Sequence, residues 1–213
     1  MTENLGRLHV LTDFHFQQKY THAELAEMAI EGGADTIQFR QKQGSFRDIL
    51  NEARKTARVC SDNNVTLLIN DRVDVALAVG AQGVHLGQTD MPLTTAREIL
   101  GPEAVIGITT PSIALAKRAE KEGANYVGFG PVYATRSKAN PTSVQGLEAV
   151  LDICNTVSIP VIGIAGITPN RSSDVIRAGA YGVAVMSAVT LADDPVGATR
   201  EFRQAIESTP SRI

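Results

Sequence analysis

The feature that most constrains this chain is a strict alternation of short apolar runs with longer segments of helical periodicity. The runs are rich in Val and Ile and lack the apolar–polar alternation of a strand with one face in water. Continuous apolar strands are typical of a parallel sheet that is buried on both faces. The predicted strands are Leu8–Leu11, Thr36–Phe39, Thr66–Ile69, Gly83–Leu86, Val105–Ile108, Tyr126–Phe129, Pro160–Ile164 and Gly182–Met186.

The segments between and after these runs have the apolar spacing and the start signals of helices. The predicted helices are His22–Glu31, Phe46–Asn63, Asp71–Val79, Leu93–Leu100, Ser112–Glu122, Gln145–Asn155, Arg171–Ala178 and Pro195–Glu207. Every second helix ends in a Gly-Ala pair, beginning with Gly33-Ala34, and Gly is favoured where a helix ends in the left-handed conformation.

These elements predict an α/β fold, a single-domain (β/α)8 TIM barrel over residues 1–207 with 208–213 as a C-terminal tail. The alternative is an open, doubly wound sheet. Eight βα units without an interrupting pattern favour closure into a barrel.

Composition excludes several classes of function. The net charge is −3 and the pI is about 5.8, and no basic run suggests a nucleic-acid partner. No apolar stretch approaches the length of about 20 residues that spans a membrane, and no secretory signal is visible. Cys60 and Cys154 lie far apart without metal-binding spacing, so we expect buried thiols. The sequence predicts a cytoplasmic protein that acts on small molecules and is compatible with a homo-oligomer.

In such a barrel the chemistry lies at the C-terminal ends of the strands, and polar residues cluster just past those ends here. Three cations and two carboxylates are expected on this rim, namely Arg40, Lys42 and Lys138 with Asp71 and Asp90. The uncharged candidates are Gln38, Asn70, Thr109, Thr135, Ser137, Gly166 and Ser187.

This combination of residues suits phosphate chemistry. Two carboxylates are hard oxygen ligands for Mg²⁺, while Arg and Lys neutralise the oxygens of a diphosphate. The Gly163–Gly166 turn and Ser187-Ala188 precede helical sequence, where backbone amides can hold a phosphate. The sequence therefore predicts a diphosphate substrate and a second, monophosphorylated one.

Each candidate also has a simpler interpretation. Asp71 could cap the helix that begins there, and Arg40 with Lys42 could be a solvated surface pair. Asp90 could belong to an ordinary polar turn before a proline, and the Gly163–Gly166 turn could be only a tight connection. Phosphate chemistry is the favoured interpretation because all of these residues are expected on the same rim.

The histidines divide by position. His85 and His9 lie within predicted strands, where a hydrogen-bonded structural histidine is favoured over a catalytic base. His22, at a helix start, and His15, in a loop, are expected to be solvated. No GxSxG, HExxH or P-loop motif is present to support hydrolase or ATPase chemistry.

Five segments together resemble the thiamine phosphate synthase family, which includes the thiazole tautomerases. They are IQFRQK (37–42), LLINDRVDVALAVGAQGVHLGQTDMP (67–92), GANYVGFGPVYATRSK (123–138), PVIGIAGITPN (160–170) and AGAYGVAVMSAV (178–189). The resemblance implies a Mg²⁺-dependent transferase of thiamine biosynthesis. It would couple hydroxymethylpyrimidine diphosphate to thiazole phosphate by dissociative substitution, releasing pyrophosphate and forming thiamine phosphate.

The resemblance also implies roles for individual residues. Gln38 and Thr109 would contact the pyrimidine, and Asp71 and Asp90 would bind Mg²⁺. The diphosphate contacts would be Arg40, Lys42, Asn70 and Lys138, of which the three cations are catalytic. The thiazole phosphate contacts would be Thr135, Ser137, Gly166, Met186 and Ser187.

Two departures from the family pattern bear on the activity. The usual adjacent glycines are Ala165-Gly166 here, and Pro111 stands where the tautomerase branch has its acid–base histidine. Pro111 and the retained Asp90 favour the synthase. The alternatives are a thiazole tautomerase-like isomerase and a non-catalytic relative that binds phosphorylated ligands.

Overall fold

All eight predicted runs form strands of one parallel sheet. The computed structural model describes residues 5–14, 18–135 and 143–210. The strands are β1 (Leu8–Thr12), β2 (Thr36–Phe39), β3 (Thr66–Asn70), β4 (Gly83–Leu86), β5 (Val105–Thr110), β6 (Tyr126–Phe129), β7 (Val161–Ile164) and β8 (Gly182–Val185). Each strand pairs in parallel with the next, and β8 pairs with β1 to close the barrel. The predicted TIM barrel is confirmed.

The helices follow the strands and surround the barrel. They are α1 (His22–Glu31), α2 (Phe46–Asp62), α3 (Val73–Val79), α4 (Leu93–Leu100), α5 (Ile113–Lys121), α6 (Gly146–Cys154), α7 (Pro169–Arg177), α8 (Ser187–Thr190) and α9 (Pro195–Glu207). The glycines of the Gly-Ala pairs have positive φ, including +65° at Gly80 after α3, as expected for helix ends. None of the helices in the described ranges has the length and apolar character needed to cross a membrane.

Burial of both faces of the sheet explains the continuous apolar strands. Outward-facing residues such as Val10 and Ile37 join the large core between the barrel and its helices. Inward-facing residues such as Leu68 and Ile162 pack with Tyr126 in a second cluster inside the barrel. Each face therefore needs apolar side chains, and the period of two disappears from the sequence.

Several predicted boundaries are wrong by one or two residues. The predicted helix at Asp71 begins at Val73, and the one predicted at Arg171 begins at Pro169, since Thr168 is its N-cap. The short helix α8 was not predicted. The division into a domain and a tail at residue 208 stays a prediction, although Thr209 is buried and donates to the Ala205 carbonyl oxygen.

His22 is buried, which corrects the expectation of a solvated side chain. Its ring lies 3.9 Å from the Phe14 ring and 4.3 Å from the Phe39 ring, between centroids, and its Nδ1 is 2.7 Å from Thr12 Oγ1. Burial lowers the pKa of His22 to about 4. Burial also lowers the pKa of His9, inside the barrel, to about 4. Both histidines are neutral in the folded protein near pH 7. His15 lies outside the described residues.

These two pKa values predict acid destabilisation. An unfolded histidine has a pKa near 6.5, so between pH 6.5 and about 4 the unfolded state binds more protons than the folded state. We therefore expect the free energy of unfolding to fall as the pH drops through this window, by up to about 3 kcal/mol per histidine. Above pH 7 these groups should contribute no pH dependence.

Urea titrations at several pH values measure this effect. In His22→Phe, an aromatic ring still fills the site between Phe14 and Phe39 but cannot be protonated, so the pH slope should decrease. The same slope in the wild type and the variant would exclude His22 as a source of the dependence.

Candidate active site

A cavity of about 660 Å³ opens at the C-terminal ends of the strands. Side chains that point into the barrel form its floor, and the following loops form its walls. Of the predicted site residues, those that line it are Gln38, Arg40, Asn70, Thr109, Thr135, Gly166, Met186 and Ser187. Ser137 and Lys138 lie outside the described residues. The structure therefore brings most of the predicted substrate-binding residues to one cavity.

Arg40 is held by a carboxylate that the sequence analysis did not identify. Asp13 directly follows β1, is almost fully buried, and forms an ion pair with the Arg40 guanidinium. The Arg40 backbone N–H also donates to the Thr12 carbonyl oxygen at 3.1 Å. Arg40 is therefore not a freely solvated surface residue, and its guanidinium is fixed at the edge of the cavity.

Lys42, Asp71 and Asp90 form a cluster beside the cavity rather than in its wall. The Lys42 ammonium forms an ion pair with Asp71, and the Asp90 carboxyl is a close electrostatic neighbour of the Asp71 carboxyl. The backbone N–H of Gly87 donates to Asp90 Oδ2 at 2.6 Å. Asp90 is thus anchored by its own loop with its carboxylate against Asp71.

Without a nearby cation, the negative charges of the Asp71 and Asp90 carboxylates would repel each other. Burial is the largest influence on Asp71 and raises the pKa of its carboxyl, and the neighbouring Asp90 raises the pKa further, while Lys42 opposes both. No group of three or more His, Cys, Asp or Glu side chains with metal-site geometry occurs within the described ranges. Mg²⁺ sites commonly use one or two carboxylates and complete the shell with substrate phosphates and water. The donor set of this cluster fits such an ion.

Asp71 does not cap a helix, so that alternative is wrong. The N-cap of α3 is Arg72, and it makes no side-chain capping bond. Asp71 adopts a left-handed conformation with φ of +62°, which Asp tolerates better than most residues. Its backbone N–H donates to the His85 carbonyl oxygen at 2.9 Å, which ties the end of β3 to β4.

His85 takes part in a hydrogen-bonded chain across the cavity floor. Its Nδ1 lies 2.8 Å from Tyr126 Oη, and its Nε2 lies 2.8 Å from Thr109 Oγ1. Both ring nitrogens are therefore engaged, as expected for a structural histidine at the rim. A Cβ at Gly107 would lie 2.0 Å from the Tyr126 ring, so only glycine leaves room for this ring.

The turn after β7 has an unusual backbone. Ala165 has φ of +81° and Gly166 has φ of +66°, in the left-handed region where a Cβ is unfavourable. A Cβ at Gly166 would also lie 2.5 Å from the Ala134 carbonyl oxygen. The Tyr133 N–H donates to the Ala165 carbonyl oxygen at 3.1 Å, which joins this turn to the loop after β6. Gly166 is sterically required, and Ala165 carries backbone strain.

Ala165→Gly should therefore stabilise the fold. Relief of the left-handed strain is worth on the order of 1 kcal/mol, partly offset by the greater freedom of glycine in the unfolded chain. Removal of the methyl group should also preserve or tighten the binding of the thiazole phosphate that the family resemblance implies. Thermal unfolding and calorimetry measure the two effects. Clearly weaker ligand binding would mean that the alanine is an adapted feature of the site.

Sequence reasoning missed two charged residues at the site, Asp13 and Arg171. Asp13 follows a strand end, the same signal that identified the other rim residues, but the predicted first strand ended at Leu11. The sequence predicts Arg171 only as the first residue of a helix, whereas in the structure it lines the cavity.

The chain matches the family model described as "Thiamine monophosphate synthase" over residues 8–189. It is 55% identical over 205 residues to the thiamine-phosphate synthase of Salinibacter ruber, covering 96% of this chain and 90% of that protein. It is 41% identical over 206 residues to the thiamine-phosphate synthase of Chloroflexus aurantiacus, covering 97% of this chain and 95% of that protein. The solved thiamine phosphate pyrophosphorylase of Pyrococcus furiosus superposes with a TM-score of 0.87 at 38% identity, covering 96% of each chain.

Proposed function

Since the chain belongs to the thiamine monophosphate synthase family, we propose that this rim joins hydroxymethylpyrimidine diphosphate to thiazole phosphate, with release of pyrophosphate and formation of thiamine phosphate. The observation that carries the proposal is the pair of neighbouring carboxyl groups of Asp71 and Asp90, with Lys42 ion-paired to Asp71, beside a cavity that Arg40 lines. This pairing is suited to a metal-bound diphosphate leaving group.

Asp71 and Asp90 would hold Mg²⁺, with Asn70 close by at the end of β3. When bound, the ion would neutralise charge that develops on the departing pyrophosphate. Arg40, Lys42 and Lys138 would add positive charge on the same oxygens. Asp13 keeps Arg40 in place for this role, because its buried carboxylate pairs with the guanidinium.

The site needs no dedicated nucleophile. In a dissociative substitution the aminopyrimidine stabilises the cationic carbon that remains after pyrophosphate leaves, and the thiazole nitrogen then forms the new bond. The protein's contribution is to stabilise the leaving group and to hold the two substrates in line. Gln38 and Thr109 would orient the pyrimidine over the cavity floor.

The thiazole phosphate would bind on the opposite side of the cavity. Gly166 after β7 and Ser187 at the start of α8 line this side, together with Thr135 and Met186. Phosphate sites of TIM barrels commonly lie between the loops after strands seven and eight. Ser137 is proposed to complete this phosphate site.

A tautomerase is the second candidate, and the structure gives it little support. It needs an acid–base group, and Pro111 is the cavity residue at the expected position. Only His85, whose two ring nitrogens are both hydrogen-bonded, or a carboxylate could substitute. A non-catalytic relative is also disfavoured, because both carboxylates of the proposed metal site are present. The cytoplasmic location and a homo-oligomeric state stay predictions of the sequence.

Product analysis distinguishes the candidates. The protein is incubated with both substrates and Mg²⁺, and the products are separated by chromatography and identified by mass. A synthase forms thiamine phosphate, and excess EDTA stops its formation. Isomerisation of a thiazole carboxylate phosphate without thiamine phosphate would support the tautomerase, and binding without reaction would support the non-catalytic relative.

A further inference from the structure

Arg171 is a cation in the cavity wall to which the reaction described above assigns no role. It lies in the first turn of α7, beside the Ala165–Gly166 turn. Among the described residues that line the cavity, the arginines and lysines are Arg40 and Arg171. Arg40 lies at the end of β2 and Arg171 follows β7, so β8 and β1 separate the two cations around the barrel.

The Arg171 guanidinium is oriented by two contacts. Its Nη1 donates to the Gly166 carbonyl oxygen at 2.8 Å, and its Cζ lies 4.5 Å from the centre of the Tyr133 ring. Because a guanidinium has five N–H donors, these contacts leave donors for a ligand. None of the ion pairs found within the described ranges involves Arg171, whereas Arg40 forms an ion pair with Asp13. The positive charge of Arg171 is thus held in place without a carboxylate partner there.

We propose that Arg171 binds the phosphate of the thiazole substrate and determines the preference for a phosphorylated over an unphosphorylated thiazole. This inference rests on the proposed function. The described groups around that phosphate site, such as the Gly166 backbone and the Thr135 and Ser187 hydroxyls, are uncharged donors. A dianionic phosphate binds more strongly where a guanidinium adds charge-assisted hydrogen bonds. Arg171 supplies this charge next to Gly166.

The test measures the apparent KM for thiazole phosphate and for the unphosphorylated thiazole alcohol in Arg171→Ala, Arg171→Gln and Arg171→Lys. We expect Arg171→Ala to raise the KM for thiazole phosphate roughly 10- to 30-fold, as for loss of a charge-assisted contact. The values for thiazole alcohol and for the pyrimidine diphosphate should change less than about twofold. Arg171→Lys should retain part of the preference, and Arg171→Gln little of it.

Arg177→Ala is the matched control. Arg177 lies on the same helix, is exposed, and pairs with Asp174 outside the cavity. This variant should behave as the wild type. If Arg171→Ala raises the KM for the phosphorylated and the unphosphorylated thiazole equally, Arg171 only supports the shape of the turn and the proposal is wrong. An unchanged KM for both thiazoles would also overturn the proposal.

The binding of thiazole phosphate and thiazole alcohol is also measured by calorimetry, which does not require turnover. The role of Arg171 can therefore be tested even if the proposed function is wrong. If the wild type binds both compounds but forms no thiamine phosphate, the proposed function fails. The change in the binding preference between the wild type and Arg171→Ala still decides the role of Arg171.

Discussion

Asp90→Ala is expected to lower turnover on the order of 100- to 1,000-fold while the protein remains folded. The substitution removes one of the two proposed Mg²⁺ ligands, so the diphosphate loses charge stabilisation as it departs. The fold loses the hydrogen bond from Gly87, worth about 1 kcal/mol, but also loses a carboxylate held against Asp71. Steady-state kinetics over a range of Mg²⁺ concentrations, with thermal unfolding, measure both quantities.

Asp74→Ala is the control for this prediction. Asp74 lies on α3, pairs with Arg72 at 2.6 Å and is more exposed than Asp71. Its removal should leave turnover and Mg²⁺ dependence unchanged. Asp90→Asn should reduce turnover nearly as much as Asp90→Ala, because an amide retains the shape but not the charge. Wild-type turnover in Asp90→Ala would exclude Asp90 from the site.

Arg40→Ala should affect both catalysis and stability. The diphosphate loses a charged donor, so we expect a loss of about 100-fold or more in turnover. The Asp13 carboxylate, which is only 5% exposed, also loses its ion pair with Arg40. Removing the cation from a buried ion pair costs about 3 kcal/mol, so the free energy of unfolding should fall by a similar amount.

A double-mutant cycle separates the two effects. In Asp13→Asn/Arg40→Ala, much of the lost stability should return, since the buried charge is gone, while turnover stays low. If the single variant is as stable as the wild type, the Asp13–Arg40 pair contributes little to the fold. If it keeps full turnover, Arg40 does not contact the leaving group.

The strands were predictable because burial on both faces leaves a continuous apolar signal. The C-terminal ends of the strands were not predictable, because polar residues such as Thr12, Asn70 and Thr110 continue the hydrogen-bonded ladder beyond the apolar run. The four-residue helix α8 is too short to show a period. The differences at the strand ends lie where local sequence and tertiary hydrogen bonding compete.

The location of the site was predictable because a barrel brings the ends of all its strands to one rim. The ion pairs between charged side chains on that rim were not predictable. Lys42 and Asp71 are 29 residues apart, and Arg40 and Asp13 are 27 apart, so their ion pairs depend on strand register. The burial of His22 likewise depends on Phe14 and Phe39 from other segments. The positive φ of Ala165 shows why glycine suits this turn.

This rim is expected to release pyrophosphate only while it joins the two substrates. The most direct measurement is pyrophosphate release by the purified protein with hydroxymethylpyrimidine diphosphate, thiazole phosphate and Mg²⁺, each omitted in turn. We predict release only when all three are present, with thiamine phosphate formed in equal amount. Absence of release in the complete mixture, with both substrates bound, would mean that this rim does not couple the two substrates.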